Sequence, residues 1–419
     1  MFYLLTLPRV KIKIYLIFIF VGKMSLFDYK YLNQTHLKGL NEYKYNAVDT
    51  SPVSIYVMQP FWNWCVEFFP RWFAPNLMTF LGFLLLVVNF VLFTYYDFHF
   101  TEALVLPQWI WLVAALCQFW SHQLDGMDGK QARRTKTSSA LGELFDHGVD
   151  SWASFLFPIC IFSVIGKGED GFSPMSMHLL LLSIYLTFID SHWEKYNTKV
   201  LFLPWSYDIS MLIMTVTYLL AYFFTPNAFR FTVPILNVSF IRVVEYAWPI
   251  CGVLSSIPIS IAHIFESYRT RKGYNRTFFE AIRPLISPAI LFVSSTWWGL
   301  ASPHMILQKQ PRLFMAAVGT TFSNIACRLV IAQMSSTRSE GINILLCFYV
   351  PIQVMSVYGL FAERTEMILL IFYNTFVTLA HIHYGCCVVR QICNHLKIHA
   401  FKINVGAKNL PPAQAHIKH

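Results

Sequence analysis

Ten apolar runs punctuate the chain, at about 76–96, 107–124, 148–166, 174–192, 207–224, 244–266, 282–300, 313–333, 342–361 and 366–388, with short polar segments between them. At about 1.5 Å of rise per residue, a helix of roughly 20 residues crosses the ~30 Å hydrocarbon core of a bilayer. The alternation predicts an all-α, polytopic membrane protein with about ten transmembrane helices. Ahead of the first run, Trp62, Trp64, Phe68, Phe69, Trp72 and Phe73 crowd together. Rings at that density and place predict an N-terminal interfacial helix, although packing against the bundle would use the same residues.

The formal charge of +10 does not point to nucleic acid, because the basic residues are spread over short inter-helix segments. Seventeen of them, from Lys130, Arg133 and Arg134 through Arg269 and Arg338 to Lys418, fall on one side of the bilayer in this reading, and six on the other. Basic loops stay in the cytosol, so both termini and the polar stretch that holds Lys130 are expected there. The nine cysteines form no CxxC pair and lie mainly inside apolar runs, which excludes a disulfide framework or a zinc site as organising feature.

That polar stretch, from Asp125 to Asp150 between two apolar runs, sets four carboxylates beside hydrocarbon. Asp125 and Asp128 are three apart and Asp146 and Asp150 four apart, so each pair shares a helix face. Four packed acids repel one another and need cations to stay ionised. All-oxygen ligation suits Mg²⁺, Mn²⁺ or Ca²⁺ rather than zinc, and two such ions can clamp a pyrophosphate. Gly129 lets backbone approach phosphate, Arg133 or Arg134 can fork onto its oxygens, and Gly142 clears room near the second helix start. The plain alternative is a loop of solvated charges.

Asp128, Gly129, Ala132, Arg133, Gly142, Asp146 and Asp150 are spaced as Asp-Gly-x2-Ala-Arg-x8-Gly-x3-Asp-x3-Asp. On that spacing the chain is identified as a member of the CDP-alcohol phosphotransferase family, and the resemblance runs from about residue 24 to 400. It implies a metal-dependent enzyme in which Asp125, Asp128, Asp146 and Asp150 hold two Mg²⁺ or Mn²⁺ ions. Gly129, Ala132, Arg133, Gly142 and Glu143 would then line the substrate, with Asn76 and Thr79 of the Pro75-Asn76-x-x-Thr79 opening of the first span beside the nucleotide. His147 and Asp150 compete for the role of general base. A helix cap explains Asn76 and Thr79 equally well.

Residues 24–32, 43–50, 191–198 and 203–210 resemble the ethanolamine- and choline-using branch of the family most closely. The implied reaction takes CDP-ethanolamine and diacylglycerol to phosphatidylethanolamine and CMP, in the endoplasmic reticulum or Golgi, with a homodimer left open. CDP-choline, ceramide as acceptor, and a non-catalytic membrane carrier remain the alternatives. The vertebrate ethanolamine-using members carry a tail selenocysteine; this chain has no cysteine after Cys393. The resemblance divides the chain into a non-native or extended start (1–23, with Met24 as natural start), a cytosolic and interfacial segment (24–74), the membrane domain (75–390) and a basic tail without fixed structure (391–419). Glu194, Tyr207 or Asp208 would reach the headgroup, unless they anchor the interface. His381 and His383, two apart, suit hydrogen bonding within the bundle better than a metal.

The topology is checked by glycan mapping in microsomes. The sequons at Asn33 and Asn275 are expected to stay unmodified, and a glycan on Asn275 would invert the bundle.

Overall fold

The computed structural model describes residues 25–203, 205–403 and 416–418. The expectations for residues 1–23 and Met24, and those for 404–415, lie outside that set. Helix α1 (Gln34–Glu42) and strand β1 (Asn46–Val48) precede α2 (Gln59–Cys65), which continues a π-turn at Ser54–Met58 and closes in a tighter turn at Val66–Phe68. Then come α3 (Pro75–Tyr96), α4 (Gln108–Thr135), α5 (Ala140–Ile165), α6 (Pro174–Thr198), β2 (Leu201–Phe202) and α7 (Ser206–Phe224). A ribbon of β3 (Thr232–Val233) and β4 (Val238–Ser239) leads into α8 (Phe240–Thr270). The chain continues through α9 (Ile286–Ala301), α10 (Pro311–Met334), α11 (Leu346–Val357) and α12 (Glu363–Leu396), and β5 is His416–Lys418.

Eight helices among the described residues are long and apolar enough to span, so the chain is a polytopic all-α membrane protein. The other two expected spans differ from a simple crossing. Helix α4 is 28 residues long but polar in its second half, because it carries Asp125 to Arg134 beyond its apolar stretch. Helix α11 has only 12 residues. At about 1.5 Å per residue it covers roughly 18 Å, short of a bilayer core. Its start is delayed by a turn in which the Leu345 N–H donates to Asn343 Oδ1 (2.9 Å), and Gly359 just beyond its end adopts φ 68°.

Helix α10 is the axis of the bundle, with 94% of its apolar window buried. It packs on α5, α6, α9 and α12. A Cβ at Gly319 would run into the Phe155 ring and the Tyr185 hydroxyl, so only glycine lets α5 and α6 approach this closely. Tyr185 stacks on Phe322 with centroids 4.3 Å apart, and Tyr349 on Tyr373 at the same distance. Around this axis α3, α4, α5 and α7 make a second packed group, and their polar ends meet at one end of the bundle.

Both described terminal segments reach that same end. Strand β1 pairs in parallel with β2 and β5, and Asn76 Nδ2 donates to the Ala400 carbonyl at 3.0 Å. Residues 397–403 of the expected unstructured tail are thus packed, with Phe401 5.5 Å from both Phe80 and Phe145. The aromatic-rich segment chooses the bundle with part of itself: Trp62 is buried, while Trp64, Phe68 and Trp72 stay exposed, as an interfacial anchor requires.

Gly319→Val is expected to destabilise the bundle by about 1–3 kcal/mol through overpacking. Thermal unfolding in detergent reads the loss, and an unchanged midpoint would mean that α5 and α10 are not held at this distance.

Candidate metal and nucleotide site

The turn between α4 and α5 is set by ordinary end signals. Arg133 and Arg134 occupy the last turn of α4, where cations offset the helix dipole, and Lys136 adopts φ 57° to end it. Ser139 then caps α5, accepting from the Gly142 N–H at 3.2 Å, with Glu143 in the first turn. Two antiparallel helix ends are thereby held side by side, and their acid-bearing faces meet.

One oxygen each from Asp125, Asp128 and Asp146 lies within 4.8 Å of the others, and Asp146, His147 and Asp150 form a second such group. Thr79 donates a hydrogen bond to Asp128, and the Tyr207 hydroxyl donates to Asp125 Oδ2 at 3.0 Å. Among the described residues no Lys or Arg pairs with any of the four acids; the nearest cationic candidate is His147, whose Nδ1 is 3.7 Å from Asp150 Oδ2. Four carboxylates with so little compensation form an oxygen-rich donor set, with the His147 nitrogen beside it, that fits hard divalent cations. Asp125, Asp128, Asp146 and Asp150 are the residues that would hold them.

The remaining sequence candidates divide. Asn76 faces Gly142, with its Oδ1 3.5 Å from where a Cβ on that glycine would sit. Arg133 folds its guanidinium toward Gly129, and Ala132 lies half-buried on the last turn of α4. Lys130 and Arg134 point the other way. Lys130 Nζ donates to Gln59 Oε1 (2.5 Å) and Asn63 Oδ1 (2.7 Å), and Arg134 to the Val66 and Phe69 carbonyls (3.0 and 2.6 Å) and Glu67 (3.0 Å). Of the two arginines left open by the sequence, only Arg133 remains for a phosphate. Glu194 and Asp208 are engaged elsewhere, with His263 (2.5 Å) and His122 (2.9 Å). His381 meets Asn324 at 3.1 Å and stacks on Trp152, in keeping with a bundle role.

Three features were not singled out in the sequence. Trp62 lies across Gly126, where a Cβ would collide with its indole, and its Nε1 donates to Gln123 Oε1 at 2.8 Å. The i, i+4 pair Lys130 and Arg134, on the face away from Asp128, was the available signal that a partner helix covers that side. Tyr43 donates to Glu143 Oε1 at 2.6 Å, and Lys195 donates to the same oxygen. Beside Asp125 and Asp150 lies a small pocket, lined also by Tyr207, Phe83, Leu86 and Met211, so that polar and apolar side chains share one wall.

The profile of the CDP-alcohol phosphatidyltransferase family matches residues 72–243. The mouse protein named ethanolaminephosphotransferase 1 is 42% identical over 385 residues, covering 90% of this chain and 95% of its own length. The human protein of that name is 43% identical over the same coverage. An Arabidopsis thaliana protein named choline/ethanolaminephosphotransferase 1 is 27% identical over 89% of this chain and 98% of its own length.

Mg²⁺ or Mn²⁺ is expected to raise the thermal midpoint of the purified protein, since a ligand at a hundredfold excess over its Kd contributes about 2.7 kcal/mol. The double variant Asp128→Asn/Asp146→Asn should lose that shift, and a shift retained in full would place the metal elsewhere.

Proposed function

Since the chain belongs to the CDP-alcohol phosphotransferase family, as a relative 43% identical over 95% of its own length shows, we propose that it is an ethanolaminephosphotransferase. It would transfer phosphoethanolamine from CDP-ethanolamine to the free hydroxyl of diacylglycerol, releasing CMP, at the cytosolic face of an endoplasmic reticulum or Golgi membrane. The observation that carries the reading is the meeting of Asp125 and Asp128 with Asp146, and of Asp146 with His147 and Asp150, next to a pocket in which Asp125 and Asp150 face Phe83, Leu86 and Met211. A water-soluble nucleotide and a lipid alcohol need such a junction.

Asp125, Asp128, Asp146 and Asp150 would hold two Mg²⁺ or Mn²⁺ ions, which would neutralise charge on the pyrophosphate. Arg133, at the phosphate side of Gly129, forks onto oxygens that gain charge as the bond to CMP breaks. Asn76 and Gly142 border the nucleotide, and Thr79 keeps Asp128 oriented. His147 is the general base in this reading. Its Nδ1 side faces the acid group and its Nε2 lies 3.8 Å from Glu143 Oε1, so Nδ1 accepts the hydroxyl proton while Glu143 sets the ring. Asp150, committed to cation binding, is the poorer base.

The choline-using alternative draws on the Arabidopsis relative, whose name includes both amines. Purified protein in bilayers is expected to favour CDP-ethanolamine over CDP-choline by at least about tenfold in kcat/KM, or about 1.4 kcal/mol. EDTA should abolish turnover. His147→Ala should lower kcat by about 10²–10⁴-fold. A preference for CDP-choline would replace the donor, and full turnover by His147→Ala would return the base to Asp150.

A further inference from the structure

Glu143 sits in the first turn of α5, and its carboxylate is buried, with 6% side-chain exposure. A buried carboxylate is costly unless cations and donors meet it. Here two do, from separate parts of the chain. Lys195, in the last turn of α6 and 3% exposed, makes an ion pair with Oε1. Tyr43 donates to the same oxygen at 2.6 Å, and Lys195 Nζ also donates to the Tyr43 hydroxyl at 2.8 Å, closing a three-membered ring of contacts. The Lys195 ammonium lies 5.3 Å from the Tyr43 ring centroid and 5.4 Å from that of Tyr45. Burial and the adjoining Glu143 carboxylate push the Tyr43 hydroxyl well above its ordinary value, so it stays protonated and remains a donor.

The other end of the carboxylate is left open. Glu143 Oε2 and His147 Nε2 are both buried, and neither has a hydrogen-bond partner among the described residues. Oε1, which Lys195 and Tyr43 hold, is also the oxygen 3.8 Å from Nε2. The place of Glu143 beneath the imidazole is therefore dictated by Tyr43 and Lys195. What brings Tyr43 there is backbone pairing: β1 begins three residues later and runs parallel to β2, which follows α6 and so Lys195 itself.

We infer that Tyr43 and Lys195 are positioning residues for the transfer, which fix the Glu143 carboxylate against His147 and make the N-terminal strand a working part of the site. This rests on the transfer reading above. Neither residue touches the acid cluster in an ion pair, so their effect passes through Glu143. Such an arrangement acts on kcat and leaves donor binding alone, because the ring orientation matters when the hydroxyl proton moves.

A double-variant cycle tests it, with kcat and KM normalised to folded protein. Lys195→Met is expected to lower kcat by about tenfold or more with KM for CDP-ethanolamine unchanged within about threefold, and Tyr43→Phe by about fivefold. Lys195→Arg should recover part of the loss. Lys195→Met strands a buried charge, so the decisive protein is Lys195→Met/Glu143→Gln, in which the charge is gone. Its kcat should match Glu143→Gln alone within about threefold. Multiplying losses in the double variant, a rise in KM at constant kcat, or reduced stability with full kcat would each overturn the inference. Wild-type protein that makes no phospholipid from CDP-ethanolamine would sink the transfer reading itself, before the variants are compared.

Discussion

Like charges crowded at the edge of a low-dielectric medium are the constraint on which this molecule turns. Two carboxylates a few ångströms apart repel by several kcal/mol at a protein-like dielectric, and here three offer oxygens within 4.8 Å of one another. Helix ends alone cannot compensate that. The second half of α4 and the first turns of α5 would separate if nothing held them, and the surrounding structure is arranged to hold them without neutralising them. Thr79 and Tyr207 donate hydrogen bonds from α3 and α7. Two of the three cations in this half of α4 are turned outward: Lys130 and Arg134 bind the α2 region, which keeps their charge from filling the place a divalent ion would take.

That outward turn explains the role of the aromatic N-terminal segment. Trp62 seats on Gly126, within the acid-bearing half of α4, and Gln59 and Asn63 take the Lys130 ammonium. The segment is at once an interfacial anchor, through exposed Trp64, Phe68 and Trp72, and a splint along the back of the acid-bearing helix. An α4 that frayed after its apolar stretch would release Asp125 and Asp128 together.

Much of this was legible in the chain, and the parts that were not share a cause. The apolar runs and the Asp-Gly-x2-Ala-Arg spacing are local patterns, and local patterns carry over directly to helix faces. Hence the four acids and His147 come together on the helix faces that their spacing defines, with Thr79 reaching Asp128 from α3. Contacts between segments far apart in sequence leave no periodic mark. Tyr43 meets Glu143 across 100 residues and Asn76 meets Ala400 across 324. The end of α11 was misjudged for another reason: hydropathy ignores backbone, and the Asn343 turn and the positive φ of Gly359 trim an apolar run of span length to 12 residues.

The two distant contacts bear on a problem that any such transferase faces. Water is a smaller and far more abundant nucleophile than a lipid hydroxyl, and a base that activates one can activate the other. Under the proposed function, discrimination therefore rests on keeping the base buried and admitting the alcohol only from the apolar side. His147 is 6% exposed, beside Glu143 and beside His192 at 5.2 Å between ring centroids, and Tyr43, just ahead of β1, closes on Glu143. The Phe401 ring, against Phe80 and Phe145, covers the neighbouring edge. Phe83 and Leu86 form the apolar side of the pocket at Asp125 and Asp150. Under the proposed function, the terminal segments, through Tyr43 on Glu143 and Ala400 on Asn76, would have a physical reason to fold back beside the site: they would narrow the access of the competing nucleophile.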